Sequence, residues 1–100
     1  MTIKLVKMPP DGAELRLEGR LDTTSAPAAQ DAFLKVAEEY AKISLNFSAL
    51  DYVSSAGLRS LLTLQKQVNR TGGSLSLCNV SPAIMEVFEM TGFSGILNIV

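Results

Sequence analysis

Two serines and a glycine that could take part in chemistry lie together in the stretch Asp51-Tyr52-Val53-Ser54-Ser55-Ala56-Gly57-Leu58-Arg59. The stretch follows an apolar run and opens an amphipathic pattern, so we expect a helix to begin within it. A helix start has unpaired backbone N–H groups and the positive end of the helix dipole, and it therefore favours an anion. A phosphoryl group placed there would add nearly two negative charges and three acceptor oxygens. The pattern indicates a phosphorylation switch at this turn.

A purely structural interpretation of the same residues is also open. Serine is a common N-cap, because its oxygen accepts a hydrogen bond from an N–H two or three residues further on. In this interpretation the role of Gly57 is only to let two backbone segments approach each other closely. The tetrapeptide Ser54–Gly57 does not decide between the two interpretations, so the organisation of the whole chain must be considered.

Composition indicates one globular domain over residues 1–100, with 47% hydrophobic and 19% charged residues. Nine basic and ten acidic residues give a net charge of −1, and no cluster of Lys and Arg stands out. We therefore expect no nucleic acid as a partner and no direct membrane contact. No apolar run approaches twenty residues and no leader is seen. The single cysteine, Cys78, fits a buried thiol in a reducing cytoplasm, where we expect the protein to be located.

Histidine is absent, which removes the commonest general base and the commonest metal ligand. A catalytic triad and the usual zinc sites are excluded for the same reason. Gly72-Gly73 is a turn signal and belongs to no phosphate-binding loop. We expect no enzyme activity, no catalytic residue, no metal site and no cofactor.

The first half of the chain predicts a hairpin and a helix. Apolar residues alternate weakly over 3–8 and clearly over 13–17, on either side of the turn signal Pro9-Pro10-Asp11-Gly12. A helix follows from about residue 25 to about residue 40, with Thr23-Thr24-Ser25 as caps. Its apolar positions repeat at steps of three and four residues.

The second half predicts alternating strands and helices. Lys42–Phe47 is a strand, and Ser48–Val53 is a crossing loop. Leu58–Val68 is the apolar face of a second helix that Gly72 ends. Ser74–Val80 is the next strand, and Ser81-Pro82 begins a third helix that Thr91-Gly92 ends. Ile96–Val100 is either a last short strand or a docked apolar tail.

The predicted order is β-β-α-β-α-β-α-β, an α/β fold in which helices cover a mixed sheet of about four to five strands. The serine turn would then lie at the carboxyl end of a strand, where open α/β sheets place their ligand contacts.

With this order the chain resembles the STAS domain family, and in particular the single-domain bacterial anti-sigma factor antagonists. Five segments at family-like spacing carry the resemblance: Gly19–Asp22, Asn46–Leu58, Thr71–Gly73, Ser81–Ala83 and Thr91-Gly92. Each segment is weak by itself, but the ordered set spans essentially the whole chain.

The resemblance implies a function. Such an antagonist binds an anti-sigma factor that is also a serine kinase, and the binding releases a sigma factor. The kinase phosphorylates a serine at the start of the second helix, and a metal-dependent serine phosphatase removes the phosphoryl group. By position the phosphorylated residue is Ser55, with Ser54 as the second choice.

The family's usual turn reads Asp-Ser-Ser-Gly or Asp-Ser-Thr-Gly, so Ser54 replaces an aspartate and Ala56 replaces the second hydroxyl. Asn46 also replaces an aspartate, whereas Asp22 keeps an acidic residue near the turn. Partner contacts are expected at these residues: Asp22, Thr23, Thr24, Tyr52, Ser54, Ser55, Ala56, Gly57 and Arg59.

Two other functions remain open at this point. STAS-like single domains also serve as subunits of lipid-transport ABC complexes, where the turn contacts the ATPase. Nucleotide or small-ligand binding has also been proposed for some members, and Tyr52 is the only aromatic side chain near the turn that could stack on a base.

Overall fold

The computed structural model describes all residues, 1–100. Four strands and three α-helices follow one another as β1 (Thr2–Met8), β2 (Gly12–Leu21), α1 (Ala26–Glu39), β3 (Lys42–Val53), α2 (Ser55–Thr71), β4 (Ser74–Cys78) and α3 (Pro82–Thr91). A short 3-10 helix, Phe93–Gly95, follows α3. The predicted α/β class and the order up to α3 are confirmed.

The sheet has the simple order β1-β2-β3-β4. β1 pairs with β2 in antiparallel fashion, while β2, β3 and β4 are parallel. Because the parallel strands run the same way, their carboxyl ends and the starts of α1, α2 and α3 meet at one edge of the sheet. We call this the carboxyl edge.

The core lies on one face of the sheet. Leu15, Leu45 and Leu77 pair across the three parallel strands and are almost completely buried. The helices pack on them within a single cluster of 21 buried residues, in which the Phe47 and Phe88 rings meet edge to face with their centroids 6.1 Å apart. The opposite face is polar and uncovered, with Lys4 paired to Glu18 and Arg16 paired to Glu14. One layer of helices on one layer of sheet therefore suffices to bury the core.

The predicted crossing loop over Ser48–Val53 is wrong, because these residues complete β3. The register between β2 and β3 shifts twice, between Arg16 and Glu18 and again between Gly19 and Arg20. Each shift places an extra residue in β3 and reverses the alternation of buried side chains, so Leu50 and Val53 are buried out of step with Phe47. Gly19, which lies in β2 beside the second shift, has φ +96°, a conformation that favours glycine.

The carboxyl-terminal residues form a docked tail, and no fifth strand is present. Leu97 is buried, and Ile99 makes a single parallel bridge to Leu77. Backbone hydrogen bonds from Leu77 N to Asn98 O and from Val100 N to Leu77 O, each 2.9 Å, hold the segment at the free edge of β4. Of the two forms predicted for residues 96–100, the tail is the one observed.

Candidate functional site

The serine turn begins α2 at the carboxyl edge, as predicted. Ser54 is the N-cap: it has an extended backbone, and its Oγ accepts a hydrogen bond from Gly57 N at 3.2 Å. The Ser54 N–H donates to Leu21 O at 2.9 Å, which ties the turn to the end of β2. The Ser54 side chain therefore has a structural role of the kind that the sequence left open.

Ser55 differs from its neighbour in exposure and bonding. It is the first residue of α2, it is exposed, and its hydroxyl makes no hydrogen bond within the protein. Neither α1 nor α2 has an acidic residue in its first turn. A free hydroxyl at the positive end of a helix dipole can take up negative charge without breaking an existing bond.

Gly57 is required by close packing. A Cβ built at this position would lie 2.6 Å from Leu21 O, 2.8 Å from Leu21 Cγ and 3.1 Å from Val53 Cγ1. These distances are below van der Waals contact, so only glycine lets the first turn of α2 lie this close to the ends of β2 and β3. Gly57 is buried, and its close packing supports the turn. Its contact with a partner stays a prediction.

Asp22 organises the neighbouring turn between β2 and α1. Its Oδ1 accepts hydrogen bonds from Thr24 N and Ser25 N at 3.1 Å and lies 3.2 Å from Ser25 Oγ. The bond from the Ser25 N–H lowers the pKa of Asp22 most, with smaller contributions from the Ser25 hydroxyl, the Thr24 N–H and Arg20, although partial burial opposes the shift. Asp22 is therefore charged at neutral pH, and its carboxylate is held in place by these hydrogen bonds.

The predicted caps of α1 behave differently from expectation. Ser25 is the N-cap residue, but its side chain makes no capping bond. Its hydroxyl donates to Arg20 O at 2.7 Å and accepts from Asp22 N at 3.0 Å. The Ser25 side chain therefore bonds back to the end of β2 and not to the first turn of α1. The bonds to Arg20 and Asp22 occupy the Ser25 hydroxyl, so it is not available to cap α1. The spacing of these residues in the sequence does not show this competition.

Thr23 and Thr24 are both exposed but face different sides of this turn. Thr23 lines a groove between the starts of α1 and α2, together with Ala56 and Arg59. Thr24 lines a separate groove beside β1, together with Met1 and Ile3. The structure therefore brings Thr23, Ala56 and Arg59 together and leaves Thr24 out of that group.

Tyr52 lies beside the turn and packs against a residue that the sequence analysis did not single out. The Arg20 guanidinium lies 4.2 Å from the centroid of the Tyr52 ring, and Arg20 Nε lies 3.7 Å from Asp22 Oδ2. Arg20 and Tyr52 are register partners in β2 and β3, which explains the contact. One face of the ring is thus covered, which leaves less of it for the base stacking considered above. Arg20 lies in the segment Gly19–Asp22 that the sequence analysis included in the family resemblance. Its contact with Tyr52 becomes visible only from the pairing of β2 with β3.

The model of the STAS domain family matches residues 5–100. This chain belongs to the STAS domain family. The anti-sigma-B factor antagonist of Bacillus subtilis is 30% identical to this STAS domain over 94 residues, which are 94% of this chain and 86% of that protein. BtrV of Bordetella bronchiseptica is 46% identical over 55 residues, which are 55% of this chain but only 47% of that protein.

Solved structures show that the fold is shared. The anti-sigma factor antagonist SpoIIAA in its unphosphorylated form superposes with a TM-score of 0.77 at 20% identity, over 99% of this chain and 87% of that chain. TM1081 of Thermotoga maritima, named as an anti-sigma factor antagonist, superposes with a TM-score of 0.85 at 21% identity, over 98% of this chain and 83% of that chain. No helix of this STAS domain is long and apolar enough to cross a membrane.

Proposed function

We propose that this protein is an anti-sigma factor antagonist whose partner is an anti-sigma factor with serine kinase activity. Binding of the antagonist would release the sigma factor held by that partner. The names of the Bacillus subtilis relative and of SpoIIAA support the antagonist role. A partner that holds a sigma factor acts in the cytoplasm, so the proposal places this protein there. The role is that of a binding module and involves no catalysis by this chain.

The observation that carries the proposal is the free, exposed hydroxyl of Ser55 beside the occupied hydroxyl of Ser54. The kinase would transfer the γ-phosphoryl group of ATP to Ser55 Oγ, with ADP as the leaving group and the hydroxyl proton passing to a base of the kinase. Phosphorylation of Ser54 would instead remove the cap of α2, which is worth about 0.5–2 kcal/mol. A metal-dependent serine phosphatase would hydrolyse the phosphoserine and restore binding.

The docking surface would consist of the half-buried Ala56 and the exposed residues around this hydroxyl: Thr23, Tyr52, Ser55 and Arg59. Asp22, Ser54 and Gly57 would hold that surface in shape through the contacts at Leu21, Thr24 and Ser25. The unmodified surface has few charges. A phosphoryl group would bring nearly two negative charges into the interface, and burying them unpaired would cost several kcal/mol.

The test compares binding of the purified anti-sigma factor kinase of the same organism to four proteins: wild type, Ser55→Ala, Ser55→Asp and Ser74→Asp. Ser74 is exposed at the start of β4, at the opposite edge of the sheet, so Ser74→Asp adds the same charge away from the turn. We expect Ser55→Ala and Ser74→Asp to bind like wild type. Ser55→Asp should bind at least tenfold more weakly, and a loss of roughly 3 kcal/mol would be more than a hundredfold. Equal binding by all four proteins would refute the switch.

A further inference from the structure

Arg59 is an exposed cation near the start of α2 that has no carboxylate partner. The ion pairs of the protein use Lys4, Arg16 and Arg20, and Arg59 takes part in none of them. Its backbone carbonyl accepts a hydrogen bond from Thr63 Oγ1, but its guanidinium makes no hydrogen bond. A cation near the amino end of a helix is unfavourable with respect to the helix dipole, so helix stability does not explain this residue.

The spacing of Ser55 and Arg59 places them on one face of α2. Residues four apart in a helix have Cβ atoms about 5–6 Å apart. Long helical side chains lean toward the amino terminus, so the Arg59 guanidinium is within reach of the turn that contains Ser55. An anion that precedes a cation by four residues is also the more favourable order for such a pair.

We propose that Arg59 is the intramolecular receptor of a phosphoryl group on Ser55, and that phosphorylation thereby withdraws this cation from the partner. The inference rests on the proposed function. A guanidinium can donate two parallel hydrogen bonds to phosphate oxygens, a geometry that arginine provides and that a point charge does not.

The groove beside Arg59 explains why its withdrawal would matter. Arg59 lines this groove with Thr23, Gln30 and Ala56, and Thr23, Gln30 and Ala56 carry no charge. In the unmodified protein the guanidinium is thus the only charged group lining the groove and is available to an acidic residue of the partner. In the phosphorylated protein the same guanidinium would be held by the phosphate, so the local charge would change from positive to negative.

The test is a phosphorus NMR titration of the second pKa of phosphoserine 55, which is about 6 when unperturbed. Phosphorylated wild type, Arg59→Gln and Arg70→Gln are titrated without any partner. Arg70 lies in the last turn of α2, roughly 22 Å along the helix from Ser55, and provides the same chemical change at a distance. Asp51, Asp22 and Arg20, the other charged groups near this edge, are unchanged in all three proteins.

We expect Arg59→Gln to raise this pKa by roughly half a unit, as for a unit charge about 5 Å away in a water-like medium, and Arg70→Gln to leave it unchanged. Equal titration curves for the two variants would overturn the role of Arg59. Unphosphorylated Arg59→Gln should also bind the kinase several-fold more weakly than Arg70→Gln, and equal affinities would refute the withdrawal of a binding cation.

The two proposals can fail separately. The titration contains no kinase, so equal curves would remove Arg59 as the receptor even if phosphorylation still abolished partner binding. Binding that is indifferent to phosphorylation would remove the switch even if the titration showed the contact.

Discussion

Replacing Gly57 by alanine should destabilise the protein, because the single added Cβ atom overlaps its neighbours. The new Cβ would lie 2.6 Å from Leu21 O and 2.8 Å from Leu21 Cγ, and neither neighbour can move freely. Leu21 O already accepts the Ser54 N–H, and the Leu21 side chain is completely buried. Relief of the overlap requires a shift of at least about 0.5 Å between α2 and the end of β2.

Overpacking of this kind typically costs about 1–3 kcal/mol. The greater helix propensity of alanine recovers up to about 1 kcal/mol. From the middle of the overpacking range, the net loss in the free energy of unfolding is about 1 kcal/mol, which lowers Tm by roughly 4–8 °C in a domain of this size. Thermal and urea unfolding followed by circular dichroism would measure both quantities.

Gly95→Ala is the matched control, because a Cβ at Gly95 meets nothing within 4 Å and its φ is not positive. We expect its stability to stay within about 0.5 kcal/mol of wild type. The reasoning is refuted if Gly57→Ala melts at or above the wild-type temperature while Gly95→Ala behaves as expected.

Three further substitutions test other parts of the structure. Ser54→Ala should lower the free energy of unfolding by about 0.5–2 kcal/mol in urea titrations, through loss of the bond to Gly57 N, and an unchanged midpoint would contradict the capping role. The lowered pKa of Asp22 stabilises the folded state above its unfolded pKa of about 3.9, and this contribution is lost as the pH falls through the folded pKa. Tm measured against pH should therefore fall more steeply in acid for wild type than for Asp22→Asn, and parallel curves would show that the turn does not use the charge. Leu97→Ala should lower the free energy of unfolding by about 2–5 kcal/mol in calorimetry, because Leu97 is buried. Ile96→Ala should lower it much less, because the Ile96 side chain is 51% exposed. Similar losses for the two variants would mean that the tail does not dock as described.

The regular parts of the fold could be predicted because their side-chain periodicity is local. The alternation in β2 and the three- and four-residue steps in α1 give the same elements in the sequence and in the structure. The end of β3 could not be predicted, since two register shifts against β2 interrupt its alternation and make Ser48–Val53 look like a loop. A bulge is defined by two strands together, and one strand read alone does not show it.

The place of the serine turn in the fold could be predicted from the sequence, but the different bonding of its two serines could not. Spacing put Ser54 and Ser55 at the start of a helix, but only the observed N-cap shows which hydroxyl is occupied and which is free. The contact of Arg20 with Tyr52 likewise depends on cross-strand register. The packing role of Gly57 depends on how closely α2 approaches Leu21, which no local pattern encodes.

The most direct test of the central claim is phosphosite mapping by fragment mass spectrometry on the protein isolated from its own cells, in growing and in stressed cultures. The account predicts a single phosphoryl group on Ser55 whose occupancy changes between the two states, with none on Ser54. A phosphoryl group on Ser54, or a protein that is never phosphorylated while it still binds its anti-sigma factor, would contradict the account.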